Sequence, residues 1–228
     1  MTFSICAHCP RTGQVGVGAM TAMLGVGKLV SHAQSRVGAA ASQAFMNPYL
    51  AIDGLALLEK DMTAEQALEQ LIAMDPGRAG RQFGIVDTKG NAAAWTGDMP
   101  QDWKGHRTGK SWTVQGNRLA GPEVLDAMVE TFEQSENDEL VERLLKALEA
   151  GESAGGDTKG HLSSAILVMD TEAYPLWEMR IDHDDDPAGA IRKLYDDFRE
   201  NLLWQIKKMP TRANPTGAFD FEDDIECT

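Results

Sequence analysis

The chain has 228 residues, of which 43% are hydrophobic and 25% charged. That composition fits one globular domain with a two-layer core and excludes a disordered or collagen-like chain. Lys+Arg number 21 against 35 Asp+Glu, a net charge of −14, which repels phosphate backbones and anionic lipid. No local basic stripe offsets it, so neither nucleic acid nor a membrane surface is an expected partner.

No run of 18 apolar residues is present, and the first eight residues lack a basic start and a long apolar stretch. Neither a spanning helix nor a signal peptide is expected. Three cysteines, one isolated at Cys227, do not make a secreted disulfide framework, so a reducing cytoplasm fits best.

Thr2–Cys6 reads as a short strand, Pro10–Gly13 as a turn, and Gln14–Met20 as the returning strand. Val37–Gln43 reads as a buried strand of small residues ending at Asn47–Pro48, although propensity alone also allows a helix there. Gly54–Glu59 carries one or two helical turns. Thr63 and Gln66 form a capping box for a helix with Ala67, Leu68, Leu71 and Ile72 on one face, ended by Asp75–Pro76. Phe83–Asp87 and Ala92–Gly97 form a hairpin through Thr88–Asn91, and Ser111–Gln115 is a further strand. Pro122 opens a helix with Leu125, Met128, Val129 and Phe132 along its stripe; Asp138 caps the next, which Gly151 ends. Leu162–Met169 and Trp177–Ile181 are the last strands, and Asp186–Pro187 starts a long helix reaching Ile206. The domain is expected over 1–209, with 210–228 as a mobile acidic tail.

Strands and helix pairs are segregated rather than alternating, which favours an α+β fold of antiparallel sheets with helices packed outside.

Several segments combine residues suited to chemistry. Methionine ahead of a small residue such as threonine is usually removed after synthesis. Removal would give Thr2 a free α-amine beside its hydroxyl, and an amine of pKa about 7.7–8.0 can serve as general base to that hydroxyl. By position alone, the same residue reads first as just the second residue of an ordinary protein. The strand that starts at once would hold it inside a sheet. Ala154–Ser164 contains Gly155, Gly156, Asp157, Lys159 and Ser163. Glycine N–H groups there suit an oxyanion, and Asp157 with Lys159 suits orientation of an amine. A helix-terminating turn explains the same residues. Gln115 and Asn117 at a strand end can donate to a carbonyl oxygen, or Asn117 can serve a turn.

Trp95–Gly97 and Asp102–His106 can wall a pocket or simply pack a Gly-rich loop. Cys6-Ala7-His8-Cys9 lacks the strand-to-helix context of a redox site and a second ligand pair for zinc. Asp182–Asp186 reads as a solvated loop and helix cap. Neither a metal nor a cofactor is expected.

In order along the chain, Thr2-Phe3-Ser4-Ile5, Pro10-Arg11-Thr12-Gly13, Gln43 with Asn47-Pro48, Asp75-Pro76 and Arg81–Asp87 resemble the bacterial family called domain of unknown function 1028. So do Thr96-Gly97, Trp103–His106, Gln115-Gly116-Asn117, Ala120-Gly121, Ala150-Gly151 and Ala154–Asp157. The resemblance runs from about residue 2 to 200. It departs at His8-Cys9, where an acidic residue before proline is more usual, and at Met99, Lys159 and His161-Leu162. That family is placed among the N-terminal nucleophile (Ntn) hydrolases. The resemblance implies a four-layer αββα sandwich of two antiparallel sheets between outer helices. It also implies Thr2 as nucleophile on an amide or related acyl bond of a small molecule or peptide. Gly155, Gly156, Asp157 and Ser163 are candidate neighbours, with Gln115 and Asn117 as candidate oxyanion or substrate contacts. A non-catalytic binding protein on the same scaffold is the alternative. Layered folds of this size often pair exposed faces, so a homodimer is an expected assembly.

Overall fold

The structure, a computed structural model, describes residues 2–99 and 102–219. The acidic run Glu222–Glu226 and Cys227 lie outside the described residues. Among the described residues, ten strands and seven helices follow in the order β1 (Thr2–His8), β2 (Val15–Thr21), α1 (Val26–Leu29), β3 (Ser31–Gln34), β4 (Gly38–Ala44), α2 (Pro48–Leu58), α3 (Ala64–Met74) and β5 (Arg81–Asp87). Then come β6 (Ala92–Thr96), β7 (Trp103–Gly109), β8 (Trp112–Leu119), α4 (Glu123–Gln134), α5 (Leu140–Ser153), β9 (Ser163–Met169), β10 (Pro175–Ile181), α6 (Pro187–Asn201) and α7 (Leu203–Lys208). The chain is α+β, as its segregated pattern predicts.

Every strand pairing is antiparallel. One sheet has six strands in the order β10-β9-β2-β1-β8-β7, and the other four in the order β3-β4-β5-β6. Alternation along β1 decides which side chains meet which layer. Phe3, Ile5 and Ala7 join a core with Leu125, Met128, Leu140, Leu144 and Leu148 of α4 and α5. On the opposite face, Cys6 joins Val17, Ala39, Ala41 and Val86 between the sheets. A third core holds Leu50, Leu55 and Ala67 of α2 and α3 against Phe83 and Ile85. Burying a side chain such as Leu144 contributes about 1.5–3 kcal/mol, and Leu144 is fully buried. Arg192 fixes α6 to α5 through Glu142 at 2.9 Å and Glu149 at 2.7 Å.

The Thr63–Gln66 capping box forms in both directions, and Asp186 caps α6 by accepting from the Gly189 N–H at 2.9 Å. Other expectations are corrected. The helix read at Gly54–Glu59 begins at Pro48, because Asn47 accepts from the Tyr49 N–H and caps it. Asp138 does not cap α5; Glu139 occupies that position, and Asp138 pairs with Lys146 at 2.7 Å. Gly151 does not end α5. It lies within the helix where a Cβ would come 2.8 Å from Met128 and 3.2 Å from Phe3, so it is glycine for packing. The left-handed residues after the helix are Gly155 and Gly156, at φ +112° and +49°. Trp103–Gly109 is strand β7 rather than loop, and α1 and β3 have no counterpart in the sequence reading. The long C-terminal helix is broken at Leu202. Part of the tail folds back on the body: the Arg212 N–H donates to Glu172 and the Ala218 N–H to the Lys208 carbonyl. Among the described residues, no helix is long and apolar enough to cross a membrane.

Gly84 of β5 faces the other sheet with no room for a side chain. A Cβ there would stand 2.2 Å from Gln115 Oε1 and 2.6 Å from Thr113 Oγ1. Gly84→Ala should therefore lower the stability by about 1–3 kcal/mol, the usual cost of overpacking, read as a fall in the urea midpoint.

Candidate functional site

The register of the six-stranded sheet aligns a polar row across its end. Thr2 of β1 stands opposite Thr21 of β2 and Asn117 of β8, and Thr21 opposite Ser163 of β9. All four are buried, Thr2 at 4% exposure. Thr2 Oγ1 and Thr21 Oγ1 share a hydrogen bond of 3.1 Å. Thr21 Oγ1 also accepts from the Met23 N–H at 3.3 Å, while Ser163 Oγ donates to the Met23 carbonyl at 2.6 Å and accepts from the Val26 N–H at 3.1 Å. The loop after β2 is thus bolted to the row that carries Thr2.

Beneath this row lies a layer of amides between the sheets. Gln43 Nε2 donates to the Thr2 carbonyl at 3.2 Å and to Gln82 Oε1 at 2.8 Å, and Gln43 Oε1 accepts from Ser4 Oγ at 2.7 Å. Gln82 Nε2 donates to Thr96 Oγ1, the Gly105 carbonyl and the Gly116 carbonyl at 3.0, 3.1 and 2.7 Å. Gln82 Oε1 accepts from Asn117 Nδ2 at 2.8 Å. Gln115 Nε2 donates to Ser4 Oγ at 2.6 Å, whereas Gln115 Oε1 and Thr113 Oγ1 have no protein partner. Thr96 Oγ1 meets His106 Nδ1 at 2.9 Å. Gln43 and Gln82 were not singled out as site residues from the sequence. Their one signal is a long amide beside a run of small or apolar residues, Gly38–Ser42 in β4 and Phe83–Val86 in β5.

The 154–164 segment reaches the same end through β8 and β2. Asp157 bridges to Leu119, accepts from the Ala22 N–H at 3.3 Å and accepts from the Lys159 N–H at 2.9 Å. Asp157 therefore orders the loop after Thr21. The reading of Gly155 and Gly156 as oxyanion donors is corrected: their N–H groups close α5, donating to the Glu152 and Gly151 carbonyls at 2.9 and 3.0 Å. His161 takes up the turn, its Nε2 accepting from the Asp157 N–H and its ring edge-on to Phe3.

Trp95 and Trp103 do not share a pocket. Trp95 Nε1 donates to the Arg78 carbonyl, whereas Trp103 packs on the helix-side core of the other sheet. Cys6 of β1 joins the core between the sheets, and Cys9, one residue past that strand, joins the core under α4 and α5. Burial pushes the Cys6 thiol up to about 12. Burial opposes ionisation of Cys9 too, but hydrogen bonds from Thr12 and the backbone, with the Arg11 charge, hold that thiol below its ordinary value. Among the described residues no group of three or more His, Cys, Asp or Glu could hold a metal ion. Asp182 pairs with Arg180 and Asp184 accepts from the Asp186 N–H, which makes that acidic run a loop and cap.

An antiparallel α+β scaffold with a buried threonine at the first position of its central strand is the class that this geometry defines. The model of the family of unknown function DUF1028 matches residues 2–191. A crystal structure of protein SPO2555 from Silicibacter pomeroyi, described under the same family model, is 37% identical over 96% of each chain, with a TM-score of 0.88. The chain belongs to the DUF1028 family. Anbu (ancestral beta-subunit) from Yersinia bercovieri matches at 11% identity and a TM-score of 0.39, over 89% of this chain and 97% of that one. No curated protein matches.

Gln82→Leu would leave the Gly105 and Gly116 carbonyls and Asn117 Nδ2 without their partner. Each buried group so stranded costs about 1–3 kcal/mol, so this variant should lose more than about 3 kcal/mol in denaturant unfolding. The histidines make a second expectation. Burial holds His8, His32 and His106 below their ordinary value of 6.5. Below that pH the unfolded chain binds protons that the folded chain refuses, so stability is full above it and falls with acidification. Glu152, pushed up by burial, acts in the opposite direction but is one group against three. The thermal midpoint should drop between pH 7.5 and 5.

Proposed function

We propose that the chain is an Ntn-type amidohydrolase whose mature N-terminal residue is Thr2. The observation that carries this reading is the fixed position of Thr2. Its hydroxyl meets Thr21 at 3.1 Å, its carbonyl is held by Gln43 at 3.2 Å, and Asn117 stands across from it. A nucleophile held in this way loses little freedom on reaching the transition state. The three separate cores, one between the sheets and one under each helix pair, support the four-layer αββα arrangement of that class.

Loss of Met1 frees the Thr2 α-amine. The amine takes the hydroxyl proton, directly or through water, as Oγ1 attacks the substrate carbonyl carbon. Asn117 gives one Nδ2 hydrogen to Gln82 and has a second for the oxyanion that forms. The tetrahedral intermediate collapses, the C–N bond breaks, and the ammonium returns its proton to the departing amine. Water then hydrolyses the Thr2 ester by the same route, releasing the acid. Thr21 and Asp157 position the hydroxyl and the neighbouring loop.

Intact mass should show loss of Met1 in protein from the native host. An activated ester such as p-nitrophenyl acetate should then add one acyl group at Thr2. Thr2→Ala should abolish that adduct and reduce hydrolysis by at least 100-fold, with Thr2→Ser retaining part of it. Full hydrolysis by Thr2→Ala, or retention of Met1 in active protein, would overturn the reading. Tight binding of an amide without any turnover would favour the scaffold as a binding protein.

A further inference from the structure

The strand register fixes which loops surround Thr2. Because Thr2 pairs with Thr21, Gln43 reaches the Thr2 carbonyl, Gln43 pairs with Gln82, and Gln82 with Thr96, the segments after β2, β4 and β6 emerge at the same end of both sheets. Those three segments carry Met23, Leu24, Phe45 and Met99, which are 46%, 59%, 61% and 60% exposed. Single exposed apolar side chains are ordinary, but several on neighbouring loops around one site mark a binding surface.

Backbone contacts hold these side chains out. Met23 is tied to Thr21 and Ser163. The Phe45 N–H donates to the Gly80 carbonyl at 3.1 Å, and its own carbonyl accepts from Arg81, which Asp75 anchors at 2.9 Å. The Met99 N–H donates to the neighbouring Ala79 carbonyl at 2.8 Å. Gly80 has no side chain where a Cβ would come 3.1 Å from the Phe45 ring. Tyr49 at the start of α2 and Met74 at the end of α3, 68% and 76% exposed, continue the apolar surface outward.

We propose that this rim selects an uncharged substrate: an amide whose acyl group carries an apolar chain, laid across Met23, Phe45 and Met99 with its carbonyl at Thr2. This rests on the proposed role of Thr2 and names the substrate class for it. The net charge of −14 disfavours an acyl chain that ends in a carboxylate, so the chain is neutral. Each CH2 buried on the rim adds to affinity, about fourfold if fully desolvated.

The test is calorimetric titration of Thr2→Ala with acetamide, butyramide and hexanamide, and with adipamate, the amide whose chain ends in a carboxylate, as the charged control. Binding should strengthen at least tenfold from acetamide to hexanamide and be weaker for adipamate than for hexanamide. The double variant Phe45→Ser, Met99→Ser, made on the same background, should lose that gain while keeping its thermal midpoint. Equal binding of all three amides, no binding of any, or hexanamide affinity unchanged by the double variant would overturn the proposal. Acylation of unaltered protein by p-nitrophenyl acetate and hexanoate separates the two readings. Acylation at Thr2 without chain-length preference overturns only the substrate class. Chain-length-dependent binding with no acylation supports the rim and overturns Thr2 as nucleophile.

Discussion

The architecture around Thr2 depends on a hydrogen-bonded amide layer between two sheets. Gln43, Gln82, Gln115 and Asn117 are each at most 2% exposed, and an unpartnered amide at that depth is costly. All but Gln115 Oε1 are tolerated because they pair with one another, with Ser4 and with the strand carbonyls around them. Gln82 alone joins groups on β4, β6, β7 and β8. The pairing is directional, so it fixes how the two sheets register in a way that apolar packing between Val17, Ala39 and Val86 cannot.

The small residues of this interface follow from the same constraint. Two sheets that exchange side-chain hydrogen bonds must lie close, which favours small residues such as Ala39, Ala41 and Gly84 at the interface. The larger apolar side chains face outward instead, where α4 and α5 cover one sheet and α2 and α3 the other. Thr2 sits at one end of the polar layer. Its carbonyl is held from one sheet and its hydroxyl from the next strand. Stability and the placement of the candidate nucleophile therefore come from the same hydrogen bonds.

The helices and hairpins were largely legible because their signals are local. Thr63 and Gln66 are three residues apart, and the Asp87–Asn91 turn closes through Asp87 accepting from the Lys89 and Asn91 N–H groups. The misread elements have weak local signals. Trp103–Gly109 carries two glycines and two cations; it is a strand because β8 supplies a partner along its length. Ser31–Gln34 has four residues and pairs only with β4. Asp138 looks like a cap by position, yet Lys146, eight residues on, competes for its carboxylate. Gly151 resembles a helix stop, but close packing against Met128 and Phe3 requires the absence of a side chain there.

The sequence by itself determined the α+β class, the polar first position of an N-terminal strand, the helix at Ala64–Met74, the start of the helix at Pro187 and the membership in a family. Each of these rests on neighbours within a few residues or on motifs in order. Only the tertiary structure decided that Thr21, Ser163 and Asn117 line up with Thr2, that Gln43 and Gln82 belong beneath it, and that the N–H groups of Gly155 and Gly156 are spent on a helix end. Those relations join residues up to 142 positions apart, as between Thr21 and Ser163, and no local propensity encodes them. They exist because antiparallel pairing has a period of two, so one register choice sets which side chains share a face across every strand of the sheet.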